Sequence, residues 1–209
     1  ILPIKTARFA NVAFSNGSLL LGFINRLNKL QPWSCPIGIR RYFVSPTESG
    51  ELCLIASILG DSGDIFFPKL NQDVDMISFE QIARDFLIHL DLKIDVCMSE
   101  EEARNKALLL TKKSNKYPVY FFGSDTSGEK SYEEFHTDNE ILDMESFEKL
   151  GVIKNSEKIN LDNINSIFLD IKNLFDDQKL TKEEIIKMLN IYLPNFDHKE
   201  TGKNLDQKM

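Results

Sequence analysis

The segment from Thr6 to Leu20, TARFANVAFSNGSLL, constrains the fold more than any other stretch of the chain. An apolar run that reaches an Asn, passes through Ser-Asn-Gly-Ser and enters a second apolar run reads as strand, turn and helix. The strand is expected over Ile4 to Ala13 and the helix over Leu19 to Leu30. Gly17 supplies the backbone freedom that the turn needs, and Ser18 stands where a hydroxyl caps the free amides of a helix. A strand delivered straight into a helix belongs to α/β architecture, where ligands sit beyond the carboxyl ends of the strands. Asn11 and the turn amides stand at that end.

The remaining pattern extends the same architecture. Gln31 to Arg41, rich in Pro, Gly and Cys, reads as a loop, and Tyr42 to Val44 as a short strand. Pro46 is tolerated in a first helical turn, so Glu48 to Leu59 reads as a helix, followed by a brief buried strand from Asp64 to Phe67. Ser78 with Gln81 has capping-box spacing ahead of a helix to Leu90, and Ser99 with Glu102 has it ahead of a helix to Leu110. Lys93 to Met98 and Tyr117 to Phe122 are strands, which makes this stretch a β–α–β unit. Helices are expected near Asp143 to Leu150, Asn160 to Phe175 and Thr181 to Tyr192, and the polar Asn195 to Met209 reads as a frayed end.

Composition excludes several classes of function. The 209 residues are 42% hydrophobic and 27% charged, enough apolar material for a core. A net charge of −7 leaves no basic face to replace the counterions of a nucleic acid. No apolar stretch approaches the length of a membrane span, and no basic region leads into a long apolar run as in a signal peptide. Cys35, Cys53 and Cys97 are far apart, as are His89, His136 and His198, so neither a metal site nor a disulfide framework is expected. Reduced thiols fit a cytoplasmic setting. His89, within an apolar helix, reads as structural. Phe86, Phe121 and Phe122 read as core, and Glu100 to Glu102 as charge favourable to a helix N-terminus.

Four groups of residues carry chemistry. Arg8, Asn11, Ser15, Asn16, Gly17 and Ser18 could hold an anion with an amide side chain and free helix amides. Arg40-Arg41-Tyr42-Phe43 could pair a guanidinium with phosphate beside an aromatic wall. Phe66-Phe67-Pro68-Lys69 adds a cation at a strand exit. In Asp125 to Lys130, Gly128 lets the backbone approach a ligand, and Glu129 could hold a diol through both carboxylate oxygens. Each has a plain structural counterpart: a strand–turn–helix connection, two solvated arginines, a loop lysine and a polar turn. By local pattern alone these counterparts weigh more.

Taken in order, Arg8-Phe-Ala-Asn-Val12, Asn16-Gly-Ser18, Arg41-Tyr-Phe43, Gly63-Asp-Ile-Phe-Phe-Pro-Lys69 and Ser127-Gly-Glu-Lys130 resemble one family. It is that of the extended short-chain dehydrogenase/reductases acting on nucleotide sugars, in the polysaccharide-biosynthesis branch of UDP-N-acetylglucosamine 4,6-dehydratases. The resemblance runs from about Ala7 to Lys154. It implies an α/β chain forming the C-terminal part of an NAD(P)-binding Rossmann-type fold and lacking the N-terminal dinucleotide-binding half. Residues 1–154 would be the substrate-binding portion, 155–194 a helical appendage and 195–209 a polar tail.

The implied chemistry takes hydride from sugar C4 onto NAD or NADP, loses water across C5 and C6, and returns hydride at C6. The implied partner is a nucleotide sugar, and the intact enzyme would be a homo-oligomer. By the same resemblance Asn11 would contact the diphosphate or sugar. Arg41, helped by Lys69, would neutralise the diphosphate, and Glu129 would hold the ribose. Arg8 and Val12 would lie near the nicotinamide. The sequence departs from the family at Thr126-Ser127, where relatives often carry Arg-Pro. It contains no Gly-x-x-Gly-x-x-Gly and no Tyr-x-x-x-Lys: none of its five tyrosines has Lys four residues later. No catalytic residue is therefore assigned, and this polypeptide by itself is expected to be inactive. The alternatives are an epimerase of the same family, or a non-catalytic substrate-binding remnant or subunit.

Overall fold

Small polar residues set where the helices begin. Ser18, Ser45, Ser78 and Ser99 are extended, and each side chain accepts a backbone N–H of the first helical turn, from Leu21, Glu48, Gln81 and Glu102 respectively. The computed structural model describes residues 2–123, 133–154, 160–176, 180–193, 196 and 198–202. In chain order the elements are β1 (Thr6–Ala7), β2 (Asn11–Val12), α1 (Leu19–Asn28), β3 (Trp33–Ile37), β4 (Arg40–Arg41), β5 (Phe43–Val44), α2 (Pro46–Leu59), β6 (Ile65–Pro68) and α3 (Gln72–Asp75). They continue with β7 (Ile77–Ser78), α4 (Phe79–His89), β8 (Lys93–Cys97), α5 (Glu100–Ala107), β9 (Lys116–Gly123), β10 (Ile141–Asp143), β11 (Leu150–Lys154), α6 (Leu161–Phe175) and α7 (Lys182–Tyr192).

The described residues fall into two compact units, one ending at Lys154 and the other comprising the helices from residue 160 onward. In the first, β3, β9 and β8 form a parallel sheet in that order, with Trp33 opposite Val119 and Val96 opposite Val119 from the other side. The β8–α5–β9 crossover is the expected β–α–β unit. A second, mixed sheet runs β1-β6-β11-β10, and two strand pairs, β2 with β5 and β4 with β7, complete the unit. One apolar cluster centres on Phe23, Trp33, Cys35, Ala83, Leu87, Tyr117 and Val119, and packs α1 and α4 against the parallel sheet. The other joins Leu52 and Ala56 of α2 to Phe66 and Val152 of the mixed sheet. Its edge is fastened by Lys154 Nζ donating to Asp64 Oδ2 at 2.7 Å, with Asp64 only 3% exposed. In the second unit Thr181 and Glu184 make a complete capping box at the start of α7.

Several expectations are corrected. Residues 4–13 do not make one strand. Thr6 and Ala7 pair with Ile65 and Phe66, whereas Asn11 and Val12 pair with Phe43 and Val44, so the chain changes sheets in between. The apolar pattern runs on through the change because it reports burial and not partner. Residues 31–41 are not a loop, since they contain β3 and β4. Pro36 is tolerated because β3 is an edge strand with a neighbour on one side only. Asp143 to Leu150 is not a helix: it is the turn between antiparallel β10 and β11. The Asp143 carboxylate accepts from the amides of Glu145 and Ser146, both at 3.0 Å, and side-chain bonding of this kind competes with helix.

The boxes at Ser78 and Ser99 are half formed. Gln81 donates to Asp85 and Glu102 accepts from the Met98 amide, whereas the unforeseen Ser45–Glu48 box is complete. His89 is exposed at the end of α4. Ser124 to Lys130 lies outside the described residues.

Gly151 in β11 faces Phe67 of β6, and a Cβ there would meet ring atoms at 2.2–2.8 Å. The Phe67 ring is buried between Phe135 and His136 and has nowhere to go. Gly151→Ala is expected to cost about 2 kcal/mol in urea unfolding through overpacking. Gly50→Ala, in an exposed turn of α2 with nothing within 4 Å, is expected to be neutral or to stabilise by up to about 1 kcal/mol.

Candidate functional site

The turn from β2 into α1 builds one wall of a cleft. Asn11 and Val12 end their strand, and Phe14 then takes φ +60°, a left-handed conformation that a bulky residue rarely adopts. Ser15 N–H returns to Val12 O, Gly17 sits at φ +80°, and Ser18 caps α1. Beside this turn lies a cleft of about 610 Å³. Its far side is made by Ser34 and Pro36 of β3, Arg41 of β4 and Phe43 of β5, with Phe79 and Phe122 as further aromatic walls.

The electrostatics of the cleft oppose those of the chain. Arg26 and Arg41 line it, and none of its described lining residues is a carboxylate. The Asn11 side chain is exposed and makes no hydrogen bond among the described residues. Burial, and secondarily the Arg104 guanidinium, hold the pKa of Arg26 below its ordinary value. Arg41 is 7% exposed, so it is not the solvated arginine of the plain structural alternative. Its Nη1 donates to Arg40 O at 2.9 Å, its Nε lies 3.2 Å from Glu133 Oε1, and its Cζ lies 5.9 Å from the Phe79 ring centre. Such a site can take an anion of several oxygens next to a flat or apolar group.

Of the residues expected at a ligand site, the structure brings together Asn11, Val12 and Arg41. Lys69 lies in a separate cleft of about 400 Å³, with its ammonium donated to the carbonyls of Met144 and Phe147. Arg8 is engaged by Glu140 in a two-pronged pair, at 2.7 and 3.0 Å, and by Phe135 O at 2.9 Å. Glu129 lies outside the described residues. Sequence reasoning missed Arg26, Ser34, Pro36, Phe79 and Glu133. Arg26 was within reach of helical periodicity, because Ser18, Gly22 and Arg26 recur every four residues on one face of α1.

Among the described residues no group of three or more His, Cys, Asp or Glu side chains could hold a metal ion. Nor do the described residues fit a dinucleotide. Gly60 follows α2 and Gly63 leads into β6, so neither presents a helix N-terminus to a pyrophosphate.

A Rossmann-like α/β chain with a cationic cleft at a strand-to-helix turn is the class that this fold and site define. The chain belongs to the polysaccharide biosynthesis protein family, which it matches over residues 3–155. It is 28% identical over 178 residues to the capsular polysaccharide biosynthesis protein CapD of Staphylococcus aureus, a match covering 84% of this chain and 25% of CapD. Among solved structures, Pen from Bacillus thuringiensis shares the fold with a TM-score of 0.50 and 19% identity, over 79% of this chain and 49% of Pen. The chain thus spans a quarter of CapD and about half of Pen. No described helix is long and apolar enough to cross a membrane.

Two carboxylates held by hydrogen bonds outside the cleft leave a signature in acid. Glu140 titrates below its ordinary value, chiefly because Arg8 donates to it, and Asp143 is held at about 2, chiefly by the Ser146 hydroxyl. A depressed folded pKa gives stability that is present above the unfolded value and lost as pH falls through the folded one. The melting temperature is therefore expected to fall from below about pH 4.5 toward pH 2. Glu140→Gln is expected to be less stable at neutral pH and to show a shallower acid slope. Parallel wild-type and variant curves over that range would show that the Arg8–Glu140 pair carries no linkage.

Proposed function

We propose that this chain is the nucleotide-sugar-binding portion of a nucleotide-sugar 4,6-dehydratase of surface polysaccharide synthesis, resembling the UDP-N-acetylglucosamine enzymes. The observation that carries the reading is the cleft joining Asn11 and Arg41, cationic in a chain of net charge −7. In this reading the diphosphate lies between the Asn11 amide, the amides opening α1 and the Arg41 guanidinium. The nucleoside then faces Ser34, Pro36 and the Phe43, Phe79 and Phe122 walls, and Glu129 takes the ribose. Val12 lines the same cleft, while Lys69 and Arg8, expected to help with the diphosphate and the nicotinamide, are held outside it by their carbonyl and carboxylate partners. In this reading NAD or NADP is the cofactor of the whole enzyme. Residues 1–154 carry binding, and 155–194 are an appendage to it. Three free thiols are in keeping with a reducing cytoplasm.

Binding without turnover is the specific expectation, because the acid/base pair Tyr-x-x-x-Lys is not in the sequence. Titration calorimetry of the 209-residue chain with UDP-N-acetylglucosamine should show saturable binding. Arg41→Ala should weaken it by about tenfold or more, and Asn11→Ala by about fivefold, the scale of one charge-assisted and one neutral hydrogen bond. A product assay should find no 4-keto-6-deoxy sugar from the chain alone. Unchanged affinity in Arg41→Ala would remove the diphosphate from this cleft, and turnover by the isolated chain would overturn the division between binding and catalysis.

A further inference from the structure

Arg41 presents an unusual balance of charge. It lines the larger cleft, while its carboxylate partner Glu133 lines the neighbouring one, with Tyr42 and Phe67. Arg41 is 7% exposed, and a guanidinium so buried needs a negative partner. Its described carboxylate partner is Glu133, at 3.2 Å from Nε. That carboxylate is itself 46% exposed. The two ends of the ion pair therefore differ: the cation is fixed in protein, and the anion is half in water.

We propose that Glu133 is a resident counter-ion of Arg41 that an incoming phosphate displaces, so that this carboxylate sets how tightly the cleft takes anions. The inference rests on the diphosphate reading of the cleft and adds a residue to it. A phosphate and Glu133 crowding one guanidinium repel each other, so binding costs part of the existing pair. Glu133 returns to water at small cost because it is already half solvated. Arg41 stays in place through the exchange, held by the Nη1 bond to Arg40 O and by the Phe79 ring.

The segment carrying Glu133 also keeps its anchors. Phe135 packs on Tyr42 with ring centres 5.2 Å apart, its carbonyl accepts from Arg8, and Glu140 pairs with Arg8. The exchange is thus a local swap of one carboxylate for one phosphate, and the segment does not have to unfold.

The test is titration calorimetry of inorganic pyrophosphate and of UDP-N-acetylglucosamine into the 209-residue chain and its Glu133→Gln and Glu134→Gln variants, with melting curves alongside. Glu134 is exposed and one residue away, so its variant removes the same charge without touching the pair. Glu133→Gln is expected to bind pyrophosphate roughly three- to tenfold tighter than wild type, and to melt lower without ligand because Arg41 has lost a negative partner. Glu134→Gln should match wild type in both. Should Glu133→Gln fail to fold, Glu133→Asp, which keeps the charge but shortens its reach, is expected to bind pyrophosphate more tightly than wild type.

Unchanged or weaker pyrophosphate binding in the Glu133 variants overturns the proposal, and so does an equal gain in Glu134→Gln. The nucleotide-sugar reading fails separately. If pyrophosphate follows the expected order while UDP-N-acetylglucosamine binds no better than pyrophosphate, the counter-ion stands and the nucleotide sugar falls.

Discussion

The stack of Phe23 on Trp33 is the contact from which the geometry of the cleft follows. Their ring centres lie 4.3 Å apart, and the indole N–H donates to Phe23 O at 3.0 Å, so one residue pair fixes both the distance and the rotation of α1 on β3. Trp33 is fully buried and also meets Phe86 of α4 and Tyr117 of β9. Burying two such side chains is worth roughly 2–3 kcal/mol each, with about 1 kcal/mol more for the ring geometry. A helix cap is worth about 1 kcal/mol. Packing therefore places α1, and Ser18 only decides where it starts. Once α1 is placed, its first turn faces Ser34 and Pro36, and the parallel register of β3 with β9 brings Phe122 opposite Pro36.

That scaffold explains how an acidic chain keeps a cationic cleft. Many acidic residues of the first unit are spent on structure. Glu80 pairs with Arg84, Glu100 with Arg104, and Glu102 with Lys106, each at helical i,i+4 spacing, while Asp64 holds Lys154. Carboxylates fixed in this way add little field inside the cleft, because each carries its own counter-charge and the exposed pairs are screened by salt. Arg26 and Arg41 are the cations at the wall, Arg41 beside its partner Glu133, and both are held against β3 and β4 by backbone carbonyls, of Pro32 and Arg40. The field is set by which charges are neutralised locally, and the net charge of −7 says nothing about it.

The sequence was readable where a signal is local. Caps at Ser18, Ser78, Ser99 and Thr181, the β8–α5–β9 unit and the buried Phe66–Phe67 strand all follow from residues within a few positions of one another. It was misleading where the deciding partner is remote. Pro36 marks a break unless it is known that β3 has an empty flank, and the apolar run through residues 4–13 does not reveal that its two halves pair with Phe66 and Phe43 in different sheets. Asp143 to Leu150 has a helical composition, but the Asp143 carboxylate binds two backbone amides and turns the chain instead. At the site, Asn11 was legible because a strand end followed by a Gly turn is a local motif. The fates of Arg8 and Lys69 were not, since Glu140 and the Met144 and Phe147 carbonyls lie between 75 and 132 residues away.

The same distinction separates the cations of the first unit by what they are able to do. Arg8 gives both Nη1 and Nη2 to one carboxylate, and Lys69 gives its ammonium to two carbonyls, so either could meet an anion only by abandoning a contact that ties the segment around residues 133–147 to the mixed sheet. Arg41 differs because its planar group has five donors on two sides. Nη1 is committed to Arg40 O and Nε to Glu133, and the group also borders the cleft. A lysine at that position would offer three donors from a single point of charge, without the planar fork that spreads them apart. An arginine can keep its bond to Arg40 O while the same group borders the cleft. That capacity, and not the number of basic residues nearby, is what the proposed anion site in this cleft rests on.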